Sequence, residues 1–328
     1  MPAMLAGLGI ASFVVAFMVV RVLLSRFGRF ALDEPNARSL HERPVPRTGG
    51  IAVLLCASVC LLFGVMQLWL PLVLALALAI VSFIDDVRGT PTGLRLLAHL
   101  TAASLLAWYE MSPMHPLELA ALALGVAWIT NLYNFMDGSD GLAGGMAVIG
   151  FGTYGFAAVM ADDIPLASAC FALAAASAAF LVHNLHPARI FLGDVGSIPL
   201  GFLAGALGVV GWRDDVWPLW FPLLVFGPFI GDATLTLLKR LARRERVWQA
   251  HRDHYYQRMV RMGLGHRGTA WTSYAIMAAC AAAALLGRDE RPELQAAAFA
   301  GASLLLAAIA VWVDVRWARF VRETQKAA

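Results

Sequence analysis

Charged residues are scarce in this chain of 328 residues. Only 14% of the residues are charged, whereas 60% are hydrophobic. A soluble domain usually has about 25% charged and about 45–50% apolar residues. Folding in water would leave too much apolar surface uncovered. The composition therefore excludes an ordinary soluble protein and predicts a bilayer as the solvent.

Cysteines are also few, and none is spaced for chemistry. Cys56, Cys60, Cys170 and Cys280 all fall in apolar runs, without a CxxC or cysteine–histidine ligand pattern. They are therefore predicted to be small buried side chains rather than redox or zinc groups. The first 20 residues lack a basic leader and a small-residue cleavage site, so we interpret them as a retained span.

Apolar segments long enough for a membrane helix recur along the whole chain. A helix needs about 20 apolar residues to cross the hydrocarbon core. No fixed-period repeat and no Ser/Gly-rich linker divides the sequence, so we expect one all-α polytopic membrane domain over 1–328. Its 10–11 predicted spans lie near 3–25, 50–68, 70–84, 94–109, 117–132, 142–160, 164–183, 196–212, 217–238, 270–287 and 294–313.

Basic residues are distributed unevenly between the two sets of loops. Of the 25 Lys and Arg residues, 22 fall in one set, and the other set holds only Arg213, Arg288 and Arg291. Because cytoplasmic loops carry the basic excess, we expect a bacterial inner-membrane protein with a periplasmic N-terminus and a cytoplasmic C-terminus. The cytoplasmic loops, which hold most polar clusters, would be 28–48, 85–94, 131–143, 183–197 and 239–268.

Two adjacent aspartates close the third predicted span. Asp85 and Asp86 repel each other and are costly to bury at a membrane boundary, so they indicate a cation or polar substrate. A solvated helix end, with Arg88 as an ordinary partner, is the alternative. Arg95 follows at the start of the next helix, where its charge suits a phosphate.

Residues 131–145, NLYNFMDGSDGLAGG, combine oxygen ligands with glycines. Asn134, Asp137 and Asp140 offer the amide and carboxylate oxygens that Mg²⁺ prefers. The glycines permit tight turns and a close approach of the backbone to a ligand. A polar turn with glycine caps is the alternative interpretation of this segment.

Residues 183–197, HNLHPARIFLGDVGS, run into a predicted helix. Amide groups at a helix N-terminus attract an anion, and Asp194 can ligate the metal that the anion carries. A simple N-cap aspartate is the alternative. Asn184 lies in the same segment, and Phe191 suits either an interfacial anchor or a surface for base stacking.

The basic loop 239–268 contains His251, Arg252 and His254. Such an amphipathic loop can lie on anionic headgroups, and its closely spaced histidines and arginine also suit a diphosphate. Zinc is disfavoured because no cysteine and no third histidine stands at ligand spacing. Arg47, in the first loop, adds a further cation at a helix entry.

Together, these segments resemble the polyprenyl-phosphate N-acetylhexosamine-1-phosphate transferase family. The resemblance spans nearly the whole chain and rests on RPVPRTGG (43–50), FIDD with GLRLL (83–97), residues 131–145 and 183–197, and AHRDH (250–254). It implies transfer of a sugar 1-phosphate from a UDP-N-acetylhexosamine to undecaprenyl phosphate, with release of UMP. It also implies Mg²⁺, with Mn²⁺ as a substitute, surrounding membrane lipids, no nucleic-acid partner and a homodimer as an option.

The resemblance also implies roles for the matched residues. The aspartate pair is associated with the lipid phosphate, the metal ligands face the diphosphate, and the aromatic ring stacks on uracil. The catalytic set is Asp85, Asp86, Asp194, His251 and His254; the substrate-binding set is Arg47, Arg95, Asp137, Asp140, Asn184, Phe191 and Arg252; the metal ligands are Asn134 and Asp194.

Two departures from the family pattern bear on the branch. Arg95 stands where several members carry lysine, so a planar fork replaces a point charge. The His-Arg-Asp-His loop lacks the longer histidine run and the Glu of the phospho-MurNAc-pentapeptide branch. This favours the branch that starts O-antigen or related glycans with a sugar of the GlcNAc, FucNAc or QuiNAc type.

The expected chemistry depends more on charge neutralisation than on base catalysis. A phosphate monoester has a second pKa of about 6, whereas an ordinary Asp, at about 3.9, is a poor base for that proton. Positioning and neutralisation by Mg²⁺ and arginines therefore dominate. The alternative function is a transporter or flippase for a lipid-linked or nucleotide sugar, which would need polar groups at mid-membrane.

Overall fold

A computed structural model describes residues 2–35, 40, 43–62, 66–247, 249 and 251–327, and these residues are almost wholly helical. A short antiparallel strand pair, β1 (Leu32–Asp33) and β2 (Val45–Pro46), lies in the first loop. The helices are α1 (Pro2–Arg26), α2 (Gly49–Leu62), α3 (Trp69–Arg88), α4 (Thr92–Met111), α5 (Pro116–Phe135), α6 (Leu142–Met160), α7 (Ile164–Asn184), α8 (Asp194–Arg213), α9 (Trp220–Val225), α10 (Gly227–Ala242), α11 (Tyr255–Met259), α12 (Gly265–Gly287) and α13 (Pro292–Ala327).

Each predicted span has a helical counterpart, which confirms the all-α polytopic prediction. Within the described ranges, eight helices are long and apolar enough to cross a membrane. The others are α2, which has 14 residues, the short α9 and α10, and α4, which carries Arg95, His99 and Glu110. Cys170 and Cys280 are buried free thiols, as predicted, while the side chains of Cys56 and Cys60 lie outside the description.

The predicted span at 217–238 is wrong as a single helix. The chain breaks at Phe226, between α9 and α10. Pro228 explains the break, because its ring has no N–H to continue the bonding ladder and clashes with the preceding turn. The observed loop is also shorter than the predicted loop 239–268. Helix α10 continues to Ala242, while α11 and a π turn (Val260–Leu264) occupy the second half of the predicted loop.

The bundle is organised around α8, which is almost completely buried. It packs against α2, α3, α4, α5 and α6. Gly201 allows a close approach to α5, because a Cβ there would stand 2.6 Å from the Cβ of Tyr133. Small residues allow such close packing between membrane helices. By contrast, α1 and α13 are mostly exposed and lie at the periphery.

Several helix ends and loops meet at one end of this bundle. The ends of α3 and α5 approach the starts of α4 and α8 through side-chain contacts. The first loop joins them through its backbone: Phe191 N donates to Pro46 O (2.8 Å), and Gly49 N donates back to Phe191 O (2.9 Å). The fold thereby gathers four polar segments that are far apart in sequence.

Candidate active site

Arg95 connects three helices at the centre of the site. Its guanidinium lies 2.9 Å from Asp85 Oδ2 at the end of α3 and 3.5 Å from Asp194 Oδ2 at the start of α8. The side chain of Arg95 is about one-third exposed (33%), so it can still meet a ligand. The structure thus brings together residues that the sequence places about a hundred positions apart.

The two adjacent aspartates have different surroundings. Asp85 Oδ1 accepts hydrogen bonds from Thr90 N (2.5 Å) and Thr90 Oγ1 (2.6 Å), while Oδ2 takes Arg95. Gly89 makes this turn possible with a φ of +68°. Asp86 is approached by Arg47, whose Nη1 lies 3.4 Å from Oδ1. Asp85 is therefore firmly held, whereas Asp86 has fewer donors.

The two glycines that follow Arg47 in sequence help to place its side chain beside Asp86. Gly50 N donates to Leu192 O at 2.8 Å, so the start of α2 runs beside the loop before α8. A Cβ on Gly50 would collide with the backbone of Gly196. The glycines of RPVPRTGG are thus required for packing, and they set the position of Arg47.

Asp194 is the first residue of α8, but it does not cap that helix. Gly193 occupies the cap position with a φ of +72°, and no side chain caps the helix. Asp194 Oδ1 instead accepts from Asn134 Nδ2 (2.9 Å), which also lies 2.9 Å from Ser197 Oγ. The N-cap alternative is therefore excluded, and the two residues predicted as metal ligands lie side by side.

Asp137 adds a second acid beside Asp194. Burial, followed by the negative charges of Asp194 and Asp33, raises the pKa of Asp137 well above its usual range. A hydrogen bond from the Gly193 backbone opposes the shift only in part. The carboxyl group is therefore unfavourable as an anion until a cation arrives.

The charges around Arg95 favour a divalent cation. Four carboxylates (Asp85, Asp86, Asp137 and Asp194) face two guanidiniums (Arg47 and Arg95). Hard cations prefer carboxylate and amide oxygens, and Mg²⁺ takes one or two of them with phosphates. A half-turn of the Asn134 amide would present its oxygen beside Asp194. The donor set therefore fits Mg²⁺.

Asp140 and Asn184 are used by the fold itself. Asp140 Oδ2 accepts from His186 Nδ1 (2.7 Å) and Ala188 N (3.1 Å). Asn184 Oδ1 accepts from Gly141 N, and its Nδ2 donates to Ile190 O, both at 2.9 Å. Both side chains therefore tie loop 136–141 to loop 185–193, which favours a scaffolding role over direct contact with substrate.

The histidine loop, residues 251–254, lies beside the central loop, residues 136–141. The rings of His251 and His254 have centroids 4.8 Å apart. Burial, followed by the charges of His254 and Arg240, lowers the pKa of His251 to about 4, so its ring is neutral at physiological pH. Tyr256 Oη donates to Phe135 O at 3.1 Å, which anchors this loop next to Asn134. Arg252 is partly exposed, and Ala250 lies outside the described residues.

Sequence reasoning missed several residues that shape the site. Ser197 ends the quoted segment 183–197 and Tyr256 lies in the basic loop 239–268, but neither had an assigned role. His99, buried one turn after Arg95, carries a ring Nδ1 without a partner among the described residues. Asp232 gave the clearest unused signal, as a lone acid within the apolar segment 217–238.

Comparisons with known proteins find relatives along most of the chain. The Glycosyl transferase family 4 model matches residues 68–212. A decaprenyl-phosphate N-acetylglucosaminephosphotransferase of Mycolicibacterium smegmatis is 30% identical, covering 80% of this chain and 77% of its own. A probable undecaprenyl-phosphate N-acetylglucosaminyl 1-phosphate transferase of Bacillus subtilis is 26% identical over 81% of each chain. An undecaprenyl-phosphate alpha-N-acetylglucosaminyl 1-phosphate transferase of Yersinia pestis is 28% identical, covering 78% of this chain and 76% of the relative.

A multi-pass helical membrane protein with acids and arginines gathered at its helix ends defines a class of membrane-embedded transferases. The chain belongs to glycosyl transferase family 4, the polyprenyl-phosphate N-acetylhexosamine-1-phosphate transferases.

Proposed function

We propose that this chain transfers an N-acetylhexosamine 1-phosphate from a UDP-sugar to undecaprenyl phosphate and releases UMP. The observation that carries the proposal is the bridge formed by Arg95 between Asp85 and Asp194, with Asn134 beside it. Such a bridge lies between a candidate lipid-phosphate pair and a candidate metal pair. It therefore suits a reaction in which two phosphate groups must approach each other.

The lipid phosphate would bind beside the aspartate pair. Both oxygens of Asp85 are engaged, so this residue serves as an anchor that aims Arg95. Asp86 has fewer donors and is the better candidate to orient or deprotonate the phosphate. Arg47 and Arg95 supply the positive charge that lets an anionic nucleophile approach an anionic substrate.

Asn134 and Asp194 would hold Mg²⁺, or Mn²⁺ in its place. A bound Mg²⁺ supplies charge neutralisation on the sugar diphosphate and fixes its orientation. Asp137, which lies close to Asp194 and has no cationic partner among the described residues, adds negative potential that strengthens cation binding. Phe191 would stack on uracil, while His251, Arg252 and His254 would contact the sugar diphosphate.

In the proposed step, an oxygen of the lipid phosphate attacks the β-phosphorus of the UDP-sugar. A new phosphoanhydride bond forms, the bond between the β-phosphorus and the bridging oxygen breaks, and UMP leaves with that oxygen. The attacking phosphate needs no strong base, because its second pKa of about 6 leaves it largely dianionic at neutral pH. The enzyme's contribution is alignment and charge neutralisation.

The sugar would be of the GlcNAc, FucNAc or QuiNAc type, and the product would initiate an O-antigen or related cell-surface glycan. The names of the relatives from Bacillus subtilis and Yersinia pestis support N-acetylglucosamine as the first sugar to test. The excess of basic residues in the site loops supports a cytoplasmic active site in a bacterial inner membrane.

The proposal is tested with purified protein, undecaprenyl phosphate, Mg²⁺ and a panel of UDP-N-acetylhexosamines labelled in the sugar. We expect labelled lipid product and stoichiometric UMP, both lost on chelation of the metal. Uptake of label into proteoliposomes without a lipid product would support the transporter instead. The panel identifies the sugar, since the preferred donor gives the highest kcat/KM.

A further inference from the structure

Asp232 is an acid in an apolar part of the chain. It lies on α10 and is the only charged residue between positions 217 and 238. Its side chain is only 9% exposed. A buried ionisable group in a membrane helix is costly, so it is usually retained because it has partners and a function.

Among the described residues, Asp232 contacts the start of α11, the histidine just before it and a threonine of its own helix. Oδ1 accepts from Tyr255 N (2.9 Å) and Oδ2 accepts from Tyr256 N (2.9 Å). Oδ1 also lies 3.3 Å from His254 Nδ1 and 3.4 Å from Thr236 Oγ1. One carboxylate therefore satisfies the first free amides of α11 and holds the histidine that precedes them.

The helix that Asp232 holds is pressed against the central loop. Tyr256 Oη donates to Phe135 O, and Gly138 leaves the space in which the Tyr256 ring lies. The ring of His254 lies 5.9 Å from that of Tyr256 and 6.1 Å from that of Phe135. Asn134 and Asp137 flank this contact in sequence. The position of His254 relative to the candidate metal site thus depends on Asp232.

We propose that Asp232 is a positioning residue that acts through His254. It accepts the Nδ1 proton of His254, which leaves Nε2 unprotonated as the nitrogen that can contact a ligand. A histidine oriented by a carboxylate keeps one tautomer and one ring orientation. The inference rests on the proposed function, because the His254 contact with the sugar diphosphate is part of that proposal.

A second carboxylate provides a matched control. Asp314 on α13 contacts Lys239, Arg258 Nη1 (3.0 Å) and Tyr255 Oη (3.3 Å). It therefore fastens the same short helix, but no contact joins it to the His254 ring among the described residues. Asp314→Asn loosens α11 but keeps Asp232 as the acceptor of the His254 proton. It therefore measures how much activity is lost when α11 is loosened alone.

The first test is a double-mutant cycle of Asp232→Asn with His254→Gln, in which sugar-phosphate transfer is measured with the UDP-sugar that the protein prefers. We expect Asp232→Asn to lower kcat by about 10- to 100-fold, in the range of coupling within one hydrogen-bond network, with KM changed less than about threefold. In the His254→Gln background, Asp232→Asn should lower kcat by less than about twofold. Asp314→Asn should lower thermal stability but leave kcat within about threefold. Multiplicative losses in the cycle would overturn the inference.

The second test does not depend on transfer. Protein labelled with ¹⁵N-histidine is compared with His254→Gln to assign the ring signals of His254. We expect Nδ1 protonated and Nε2 bare in the native chain, and a changed pattern in Asp232→Asn but not in Asp314→Asn. A native His254 protonated only at Nε2 overturns the inference. If the tautomer is as expected but no UDP-sugar is transferred, the proposed function fails and the placement of His254 by Asp232 stands.

Discussion

The two ends of the helical bundle differ in how their charged side chains are paired. At the site end, four carboxylates share two guanidiniums. At the far end, Glu110 is paired with Arg213, which also binds Asp214 at 2.7 Å. Arg288 there contacts Asp289 and the Ala157 carbonyl. The buried charges of the far end are therefore paired within the chain, whereas the group around Arg95 holds more carboxylates than guanidiniums.

This difference separates stabilisation from function. Buried charges are tolerated when they are paired, and Glu110, with a side chain only 2% exposed, follows that rule. Crowded acids at the site end oppose folding unless a cation joins them. Local strain of this kind is typical of ligand sites. The comparison predicts that substitutions at the two ends will have opposite effects on stability and activity.

The largest effect is expected from Asp194→Asn. Loss of this carboxylate removes a proposed metal ligand and one partner of Arg95, so kcat/KM should fall by about 10²–10³-fold or more. The Mg²⁺-dependent rise in melting temperature should also disappear. Glu110→Gln is the control at the far end, where we expect a lower melting temperature with near-normal activity in the folded fraction. Normal transfer by Asp194→Asn at saturating substrate would refute the metal assignment.

Gly138→Ala should give the next largest effect. The added Cβ would collide with Tyr256 Oη and push the histidine loop away from the central loop. Because small displacements of catalytic groups are costly, we expect kcat to fall by about 10- to 100-fold. Gly125→Ala on α5 meets nothing within 4 Å and should leave activity unchanged. Equal activities of the two variants would mean that the Tyr256 contact is dispensable.

Asp137→Asn should raise the stability of the metal-free protein while weakening metal binding. A carboxyl whose pKa is raised in the folded state destabilises that state as pH rises above its unfolded value of about 3.9. Removing the charge therefore raises the melting temperature at neutral pH without Mg²⁺. Thermal denaturation with and without Mg²⁺ and UDP measures both effects. A lower melting temperature in both conditions would contradict the surplus-charge account.

The smallest effect concerns acid stability and His251. Its pKa is lowered to about 4 in the folded chain, while an unfolded histidine titrates near 6.5. The stability it contributes is therefore present above about pH 6.5 and is lost as pH falls toward 4. His251→Gln should flatten the melting temperature between pH 7 and 5. An unchanged slope would show that burial of this imidazole does not govern acid stability.

The sequence predicted the helices and the candidate acids, but not their pairing. Asp85, Asn134 and Asp194 could be chosen because polar groups at the ends of apolar spans are costly to bury and stand out in the sequence from the apolar residues around them. Their contact through Arg95 depends on the crossing of α3, α4 and α8, which no local pattern encodes. Asn184 and Asp140 carried the same residue-type signal, yet they bond backbone groups of neighbouring loops and, for Asp140, also the His186 ring. Residue type alone cannot separate a scaffold contact from a ligand contact.

The backbone exchange between the first loop and the loop before α8 has a further consequence. Arg47 lies between two residues, Pro46 and Gly49, that each share a hydrogen bond with Phe191. The proposed lipid-phosphate cation and the proposed uracil platform therefore lie on two segments that are joined directly by backbone hydrogen bonds. If both proposed roles hold, a shift of one segment would move the other, so binding of the nucleotide sugar and of the lipid phosphate would be linked.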